Sequence, residues 1–249
     1  MQTPKDNFSR QAGDYARFRP RYPAALYDFL LSLTPARDAA WDAGTGNGQV
    51  AAQLAQVFRQ VHATDISTRQ LEKAPPLPNV TCRVCRAEST GFPDGSFDLV
   101  TVAQALHWFD FDAFYAEVRR VARPGAVLAA WGYNLLHIEP AVDALVRELY
   151  HDVVGPYWDA ERRHVEASYA TVPFPFPTLP APPLQMVTHW QREHLLGYLN
   201  TWSAVQGYIK ANGADPVAAL RPRLEALWPA DDIREVQFPL FLRAGRVAQ

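Results

Sequence analysis

The stretch "AAWDAGTGNGQVAAQLAQVF" (39–58) decides the fold. A short apolar run meets Asp42, three glycines follow at alternate positions, and apolar residues then recur at helical spacing. The pattern predicts a buried strand, a tight turn and a helix over 48–58. The side chains expected to face inward from that helix are Val50, Leu54, Val57 and Phe58. A glycine turn of this kind lets a ligand lie against the main chain, because glycine has no Cβ.

Strands and helices alternate over residues 22–132. The further strands are predicted at 60–65, 79–85, 97–106 and 126–133, and the flanking helices at 23–33 and 111–123. Pro124 and Gly125 predict a turn before the fifth strand. This rhythm favours right-handed crossovers and a mostly parallel sheet covered by helices on both faces. Ligands of such sheets bind beyond the carboxyl ends of the strands.

The rhythm changes after residue 133. The prolines of "VPFPFPTLPAPP" (172–183) predict a stiff connector that excludes helix and central strand. A helix is expected at 140–151, a sixth strand at 184–190, helices around 192–212, and a last strand at 235–246 in which Pro239 suggests an irregularity. We divide the chain into an N-terminal lid (1–22), a cofactor-binding core (23–132), a mainly substrate-side cap with the sixth strand (133–232) and the last strand (233–249).

Composition narrows the class of protein. The 249 residues carry a formal net charge of −2, so no overall basic field favours nucleic acid or an anionic membrane. No apolar run reaches the roughly 18 residues of a membrane span, and we expect a soluble cytoplasmic protein. Cys82 and Cys85 are the two cysteines. A structural zinc site normally needs four ligands, so we predict no metal and give both thiols structural or incidental roles.

The acid beside the glycines selects the ligand. Gly44, Gly46 and Gly48 form G-x-G-x-G, whereas the dinucleotide fingerprint needs glycine at 49, where Gln49 stands. The carboxylate of Asp42 would repel a pyrophosphate and attract a cation. A cationic nucleoside without phosphate meets these demands, and S-adenosylmethionine is such a molecule. Asp65 ends the next strand and could hold both ribose hydroxyls, as an acid does in NAD sites, or could cap the following helix.

Four stretches then carry a family resemblance. They are "WDAGTGNG", "TD" at 64–65, "AESTGFPDGSFDLVTVAQALHWF" and "RRVARPGAVL". In order and spacing they resemble class I S-adenosylmethionine-dependent methyltransferases, above all the type-11 group that includes trans-aconitate methyltransferase-like enzymes. The likeness covers 8–132 well and extends loosely to 239–246. It implies a Rossmann-like α/β fold, a seven-stranded, mostly parallel sheet with an antiparallel last strand, and a helical cap inserted in the C-terminal half.

The resemblance also implies roles for residues. Asp42, Gly44 and Gly46 would line the methionine part of the cofactor, and Asp65 would hold the ribose. Ala87 and Glu88 would flank adenine, with Glu88 or a backbone group near its exocyclic amine. The whole expected cofactor set is Asp42, Gly44, Thr45, Gly46, Asp65, Ile66, Ala87, Glu88, Gln104 and, from the lid, Tyr15 and Arg17. Trp41 replaces the family's usual aliphatic residue and is expected to pack under the first helix.

The segment "ALHWF" (105–109) follows the fourth strand, where the transferred methyl group should lie. His107 is the catalytic candidate, as a general base or a donor to a substrate oxygen, although a packed histidine is an equal alternative. Expected acceptor-binding residues are His107, Trp108, Tyr133 and Trp202. Methyl transfer depends mainly on alignment, and a base matters only when the acceptor must lose a proton.

The acceptor class is narrowed by motifs that are absent. Methyltransferases of exocyclic base amines carry [D/N]-P-P-[aromatic] after the fourth strand, where this chain has "AQALHW", and neither cysteine lies near that corner as a nucleophile. We therefore predict a small-molecule acceptor, and the family likeness suggests a carboxylate as the methylated group. The alternatives are an NAD-dependent oxidoreductase and a non-catalytic protein that binds S-adenosylmethionine or S-adenosylhomocysteine. Methylation of RNA or protein is disfavoured by the charge.

Overall fold

The computed structural model describes residues 18–34 and 36–247. In these residues one sheet has the order β3-β2-β1-β4-β5-β8, and β6 and β7 both pair with the outer side of β8. The strands are β1 (Ala39–Ala43), β2 (Gln60–Asp65), β3 (Val80–Val84), β4 (Phe97–Ala103), β5 (Ala122–Tyr133), β6 (Thr178–Leu179), β7 (Leu184–Trp190) and β8 (Arg234–Arg246).

The first five strands are parallel, as predicted. Asp42 of β1 lies beside Ala63 of β2 and Thr101 of β4, so these strands end at the same edge of the sheet. The last strand, β8, runs antiparallel to β5, which confirms the expected topology. Seven strands were expected and the described residues form eight. The additional strand is β6, two residues between prolines that are tolerated because it lies at an edge.

Helices cover both faces of the sheet. They are α1 (Ala24–Leu33), α2 (Gln49–Leu54), α3 (Thr68–Leu71), α4 (Phe111–Val121), α5 (Pro140–Glu148), α6 (Arg162–Glu166), α7 (Arg192–Asn200), α8 (Ser203–Asn212) and α9 (Pro216–Leu227). On one face Leu30 of α1 and Leu54 of α2 are buried in a common core. On the other face Phe114 and Val118 of α4 pack in a second core. No helix of the described residues is long and apolar enough to cross a membrane.

Two predictions about these cores are wrong. The helix expected over 48–58 ends at Leu54, so Val57 falls in the following turn and is 40 % exposed. Trp41 packs on the face opposite α1, with Phe114, because its position in β1 points it away from the α1 and α2 core. Its indole Nε1 donates to Thr64 Oγ1 at 2.8 Å.

The prolines in strands also differ from expectation. The turn predicted at Pro124 and Gly125 lies within β5, as a bulge where the register to β4 shifts, and Gly125 supplies the positive φ of 75°. Conversely, the β7 to β8 register runs through Pro239 without a shift. Pairing of β8 with β5 begins only at Leu240, so Pro239 has a single neighbouring strand and its missing N–H need not interrupt a ladder.

A third core joins the C-terminal helices to the extended ends of β7 and β8. Leu149 and Leu199 pack there with Trp190, Trp228 and Phe238. These helices occupy the part of the chain assigned above to the cap. The boundaries of the four predicted segments stay a prediction about domain organisation.

Candidate active site

The loop between β1 and α2 contains the three glycines, all with positive φ. A Cβ on Gly44 would lie 2.6 Å from Ala105 Cβ, and one on Gly48 would lie 2.9 Å from Ala74 Cβ. Packing of the protein on itself therefore requires glycine at these two positions, whether or not a ligand is bound. A Cβ on Gly46 would meet only Gln70 Oε1, at 4.0 Å. Gly46 is the glycine whose bare backbone faces open space.

Asp65 holds this loop in place. Its Oδ2 accepts a hydrogen bond from the Gly46 N–H at 2.9 Å, and its Oδ1 accepts one from the Ser67 N–H at 2.9 Å. The residue that caps α3 is Ser67, whose Oγ accepts from Gln70 N, so the N-cap alternative for Asp65 is wrong. A carboxylate oxygen can accept more than one hydrogen bond. Asp65 can thus position the loop and still receive hydroxyl donors from a ligand.

Asp42 lies behind the loop and not on the wall of the cleft described below. It is 1 % exposed, and its carboxylate accepts hydrogen bonds from the hydroxyls of Thr45 and Thr101. Burial raises the pKa of Asp42 to about 6, against the opposing effect of the two threonine hydroxyls. Thr45 lines the cleft and Asp42 does not, so a direct contact between Asp42 and the cofactor stays a prediction that this geometry does not favour.

A cleft of about 990 Å³ runs along the carboxyl ends of β1 to β4. Eight residues of the expected cofactor set line it: Gly44, Thr45, Gly46, Asp65, Ile66, Ala87, Glu88 and Gln104. Tyr15 and Arg17 lie outside the described residues. From the expected lid, Tyr22 lines the cleft and Pro20 O accepts a hydrogen bond from Gln49 Nε2 at 3.3 Å.

Glu88 is already engaged within the chain. Its carboxylate accepts hydrogen bonds from Arg86 Nε and Nη2, both at 3.3 Å, and from the Asp110 N–H at 3.0 Å. Arg86 was not among the predicted site residues, yet it lines the same cleft. Of the two alternatives for the adenine contact, this arrangement favours a backbone group over the Glu88 carboxylate.

A second, smaller chamber of about 60 Å³ lies next to the cleft. All four expected acceptor-binding residues line it: His107, Trp108, Tyr133 and Trp202. Gln104, His107 and Trp108 line both the cleft and the chamber. These three side chains, just after β4, form the junction between the two spaces.

The chamber is aromatic and carries two guanidinium groups. Arg19 Nη1 donates to Tyr133 Oη at 2.8 Å, and Arg162 Nε donates to Tyr150 Oη at 2.7 Å. Arg162 also lies over the Trp158 ring, 4.8 Å from its centroid. Asp159 is the acid on this wall. Two nearby aromatic residues, Tyr157 and Tyr208, pack edge to face on each other and do not line the chamber.

Gln104 reaches the junction through an unusual backbone conformation. Its φ is 54°, in the region that residues other than glycine seldom adopt. The conformation is fixed by a hydrogen bond from the Gln104 N–H to Trp131 O at 2.8 Å and one from Gln104 Nε2 to Tyr133 O at 3.3 Å. Strain of this kind persists only where surrounding contacts determine it.

His107 is a neutral imidazole. It is 7 % exposed, and burial together with Arg162 and His164 lowers its pKa to about 3. Its Nδ1 lies 3.0 Å from the hydroxyl of Tyr169, a residue to which the sequence analysis assigns no role. A group of such low basicity is a weak proton acceptor near neutral pH. The general-base role stays a prediction that this geometry does not favour.

Comparison with known proteins shows which family the chain belongs to. A candidate methyltransferase from Dictyostelium discoideum is 32 % identical over 245 residues, which are 95 % of this chain and 93 % of that protein. The chain belongs to the methyltransferases. A family model described as a methyltransferase domain, of type 11, matches residues 41–130 of this methyltransferase, and its cofactor class is S-adenosylmethionine. The alternative of an NAD-dependent oxidoreductase is thereby set aside.

Solved structures agree with this assignment. A candidate type II methyltransferase from Anaeromyxobacter dehalogenans is 49 % identical to this methyltransferase, with a TM-score of 0.86 over 93 % of this chain and 99 % of that one. A phosphoethanolamine N-methyltransferase of Haemonchus contortus, in complex with phosphomonomethylethanolamine and S-adenosylhomocysteine, has a TM-score of 0.52 at 18 % identity. The two structures superpose over all of this chain and 61 % of the Haemonchus chain, and this likeness shows the shared fold alone.

Proposed function

We propose that this methyltransferase transfers a methyl group from S-adenosylmethionine in the cleft to a carboxylate oxygen of a small molecule in the chamber. The observation that carries the proposal is the junction, because Gln104, His107 and Trp108 line both spaces. Two reactants held in adjoining spaces that share these residues would lie next to each other, so little orientational freedom is lost at the moment of reaction.

The cleft suits the cofactor. The bare backbone at Gly46 leaves room for the methionine part, and Asp65 offers oxygens to the ribose hydroxyls. Ile66 is 40 % exposed at the cleft and would cover one face of adenine, with a backbone group of Ala87 or Glu88 at its amine. The charge of Asp42 behind Thr45 favours a sulfonium and an ammonium over a pyrophosphate. When bound, the cofactor supplies an electrophilic methyl group.

The chamber suits a small anion. Arg19 and Arg162 provide two fixed guanidinium groups, and guanidinium binds carboxylates with matched geometry. Asp159 offsets one of these charges, which leaves the wall net positive since His107 is neutral. A carboxylate loses its charge when it becomes a methyl ester, so the arginines stabilise the bound acceptor more than the transition state. Their role is binding and orientation of the acceptor.

The test is transfer of labelled methyl groups by the full-length protein. It is incubated with methyl-labelled S-adenosylmethionine and a panel of small mono-, di- and tricarboxylic acids, and separately with a metabolite extract. A methyl ester releases labelled methanol in base, whereas N-, C- and ether-linked methyl groups do not. Base-labile label in the small-molecule fraction supports the proposal.

Two other results would contradict it. Label that appears only in base-stable small molecules would overturn carboxylate methylation. Label that appears only in RNA or protein would overturn the small-molecule acceptor. The matched variant is Arg162→Met, which keeps an unbranched apolar stem and removes the charged guanidinium group. It should raise the KM for a carboxylic acid and change kcat less, because it acts on the bound acceptor.

A further inference from the structure

The hydroxyl group of Tyr169 meets the ring of His107 at a point away from both the cleft and the chamber. The distance from Tyr169 Oη to His107 Nδ1 is 3.0 Å, and Tyr169 is fully buried. His107 lines both spaces, whereas Tyr169 lines neither. With Nδ1 occupied by Tyr169, the ring nitrogen left for the acceptor is Nε2.

The turn that carries Tyr169 is strained and firmly held. Ser168 and Tyr169 have φ values of 51° and 59°, a left-handed conformation that residues other than glycine seldom adopt. Arg243 Nη1 donates to Tyr169 O at 2.9 Å, and Asn134 Nδ2 donates to Ser168 Oγ at 2.9 Å. Contacts from β8 and from the end of β5 thus hold the phenol in one place.

The direction of the hydrogen bond between Tyr169 and His107 follows from the burial of the phenol. Tyr169 is fully buried, and among the described residues its hydroxyl has His107 Nδ1 as its hydrogen-bond partner. A buried hydroxyl that does not donate leaves its proton without an acceptor, which is costly. Burial also raises the pKa of Tyr169, so the phenol keeps its proton. That proton points to His107 Nδ1.

The charged groups around the ring favour its neutral form. Arg162 and His164 of α6 both disfavour the imidazolium. Arg19 and Asp159 are the other charged side chains on the chamber wall among the described residues. Tyr169 contacts the imidazole ring at Nδ1, away from that wall. Since Nδ1 accepts from Tyr169, a neutral ring must carry its hydrogen on Nε2.

We infer that Tyr169 is a positioning residue that fixes His107 as the Nε2–H tautomer, so that His107 serves the acceptor as a hydrogen-bond donor and not as a base. The inference rests on the proposed function. The donor binds one oxygen of the carboxylate and leaves the other oxygen for the methyl group. A carboxylate anion has no proton to lose on methylation, so the reaction needs no base.

The first test is spectroscopic and needs no acceptor. The full-length protein, labelled with ¹⁵N in histidine, is studied by long-range ¹⁵N–¹H correlation between pH 5.5 and 8, with and without S-adenosylhomocysteine. The His107→Gln variant identifies the signals of His107. We expect the pattern of a neutral ring protonated on Nε2 at every pH. A ring protonated on Nδ1, or an imidazolium at pH 6, would overturn the inference and leave the proposed function standing.

Two variants separate positioning from simple packing. Tyr169→Phe removes the hydroxyl and should give a mixture of His107 tautomers. Tyr115→Phe is the matched control, since Tyr115 is buried in the same core but its hydroxyl donates to Pro173 O. It should leave the His107 signals unchanged. Unchanged signals in Tyr169→Phe would also count against the inference, and if that variant does not fold, the spectrum of the native protein decides.

Activity gives a second readout on the base-labile methyl transfer. Tyr169→Phe should lower kcat/KM for the carboxylic acid in proportion to the fraction of His107 that keeps its hydrogen on Nε2, about twofold for an even mixture of tautomers. His107→Gln keeps an N–H donor and cannot act as a base. Its kcat/KM should therefore fall less than that of His107→Leu. Equal losses in Gln and Leu variants, or a rate that follows the titration of a histidine, would show a base and refute the donor role.

Discussion

The charge of Asp42 is expected to lower the stability of the fold and to raise the affinity for the cofactor. Replacing Asp42 with asparagine tests both effects. The carboxyl group is fully buried, and burial raises its pKa from 3.8 to about 6. Its hydrogen bonds come from the hydroxyls of Thr45 and Thr101. Both hydroxyls can rotate to accept from an amide, so Asp42→Asn removes the charge and can keep the two contacts.

The magnitude follows from the shift in pKa. Each pKa unit corresponds to 1.36 kcal/mol, so a rise from 3.8 to about 6 amounts to about 3 kcal/mol. A carboxyl group with a raised pKa in the folded state binds protons on folding. Its contribution to stability is therefore fully present below pH 3.8 and is lost as the pH rises through about 6. At pH 8 the asparagine variant should be more stable than the native protein by up to about 3 kcal/mol, and at pH 4 by much less.

Urea unfolding of the two proteins at pH 4 and pH 8 measures this difference directly. Calorimetry should show the opposite effect on function, with weaker binding of S-adenosylmethionine to the variant. In the native protein the affinity should rise with pH through about 6, because a bound cation favours the ionised carboxylate. The variant should lack that rise. An Asp42→Asn protein that is less stable than the native one at pH 8 would refute the reasoning.

Asp98→Asn is the control for this comparison, because Asp98 is an equally buried carboxylate with strong donors. It accepts hydrogen bonds from the Asp38 and Ala39 N–H groups and from Arg123 Nη1. Loss of its charge weakens these contacts, so Asp98→Asn should destabilise the protein by about 1–3 kcal/mol at pH 8. The same substitution at two buried acids should thus change the free energy of unfolding in opposite directions.

Further variants test the remaining parts of the site. Gly44→Ala places a Cβ 2.6 Å from Ala105 Cβ at a φ of 66°, and thermal unfolding should show a loss of about 1–3 kcal/mol. Gly46→Ala meets no protein atom nearer than 4.0 Å, so calorimetry should show a loss of cofactor affinity larger than its loss of stability. Asp65→Ala removes the acceptor of the Gly46 N–H and the proposed acceptor of the ribose hydroxyls, and should weaken S-adenosylmethionine binding by about tenfold or more.

The cofactor half of the molecule could be predicted because its signals are local. The glycine loop and Gln104 each follow a strand directly, Asp65 ends one, and parallel strands bring their carboxyl ends to one edge. The orientation of Asp42 could not be predicted. Its two threonine partners are three and 59 residues away, and the second contact exists only once β1 and β4 pair.

The acceptor half is built from contacts that leave no pattern in a single sequence. The hydrogen bond between Arg19 and Tyr133 joins residues 114 apart, and that between His107 and Tyr169 joins residues 62 apart. Periodicity misled the prediction at Val57, because apolar spacing continues to Phe58 after α2 has ended at Leu54. Phe58 is buried from the turn that leads to β2, and no helix is needed to bury it.

In the proposed reaction, the charges near the two spaces would account for release as well as binding. The buried carboxylate of Asp42 lies behind Thr45 of the cleft wall, and the guanidinium groups of Arg19 and Arg162 line the chamber. A sulfonium would be attracted to the first space and a carboxylate to the second. Transfer of the methyl group would convert the sulfonium to a thioether and the carboxylate to an ester, so both attractions would weaken in the same step. Because His107 is neutral where the two spaces adjoin, it would add no charge that retains either product.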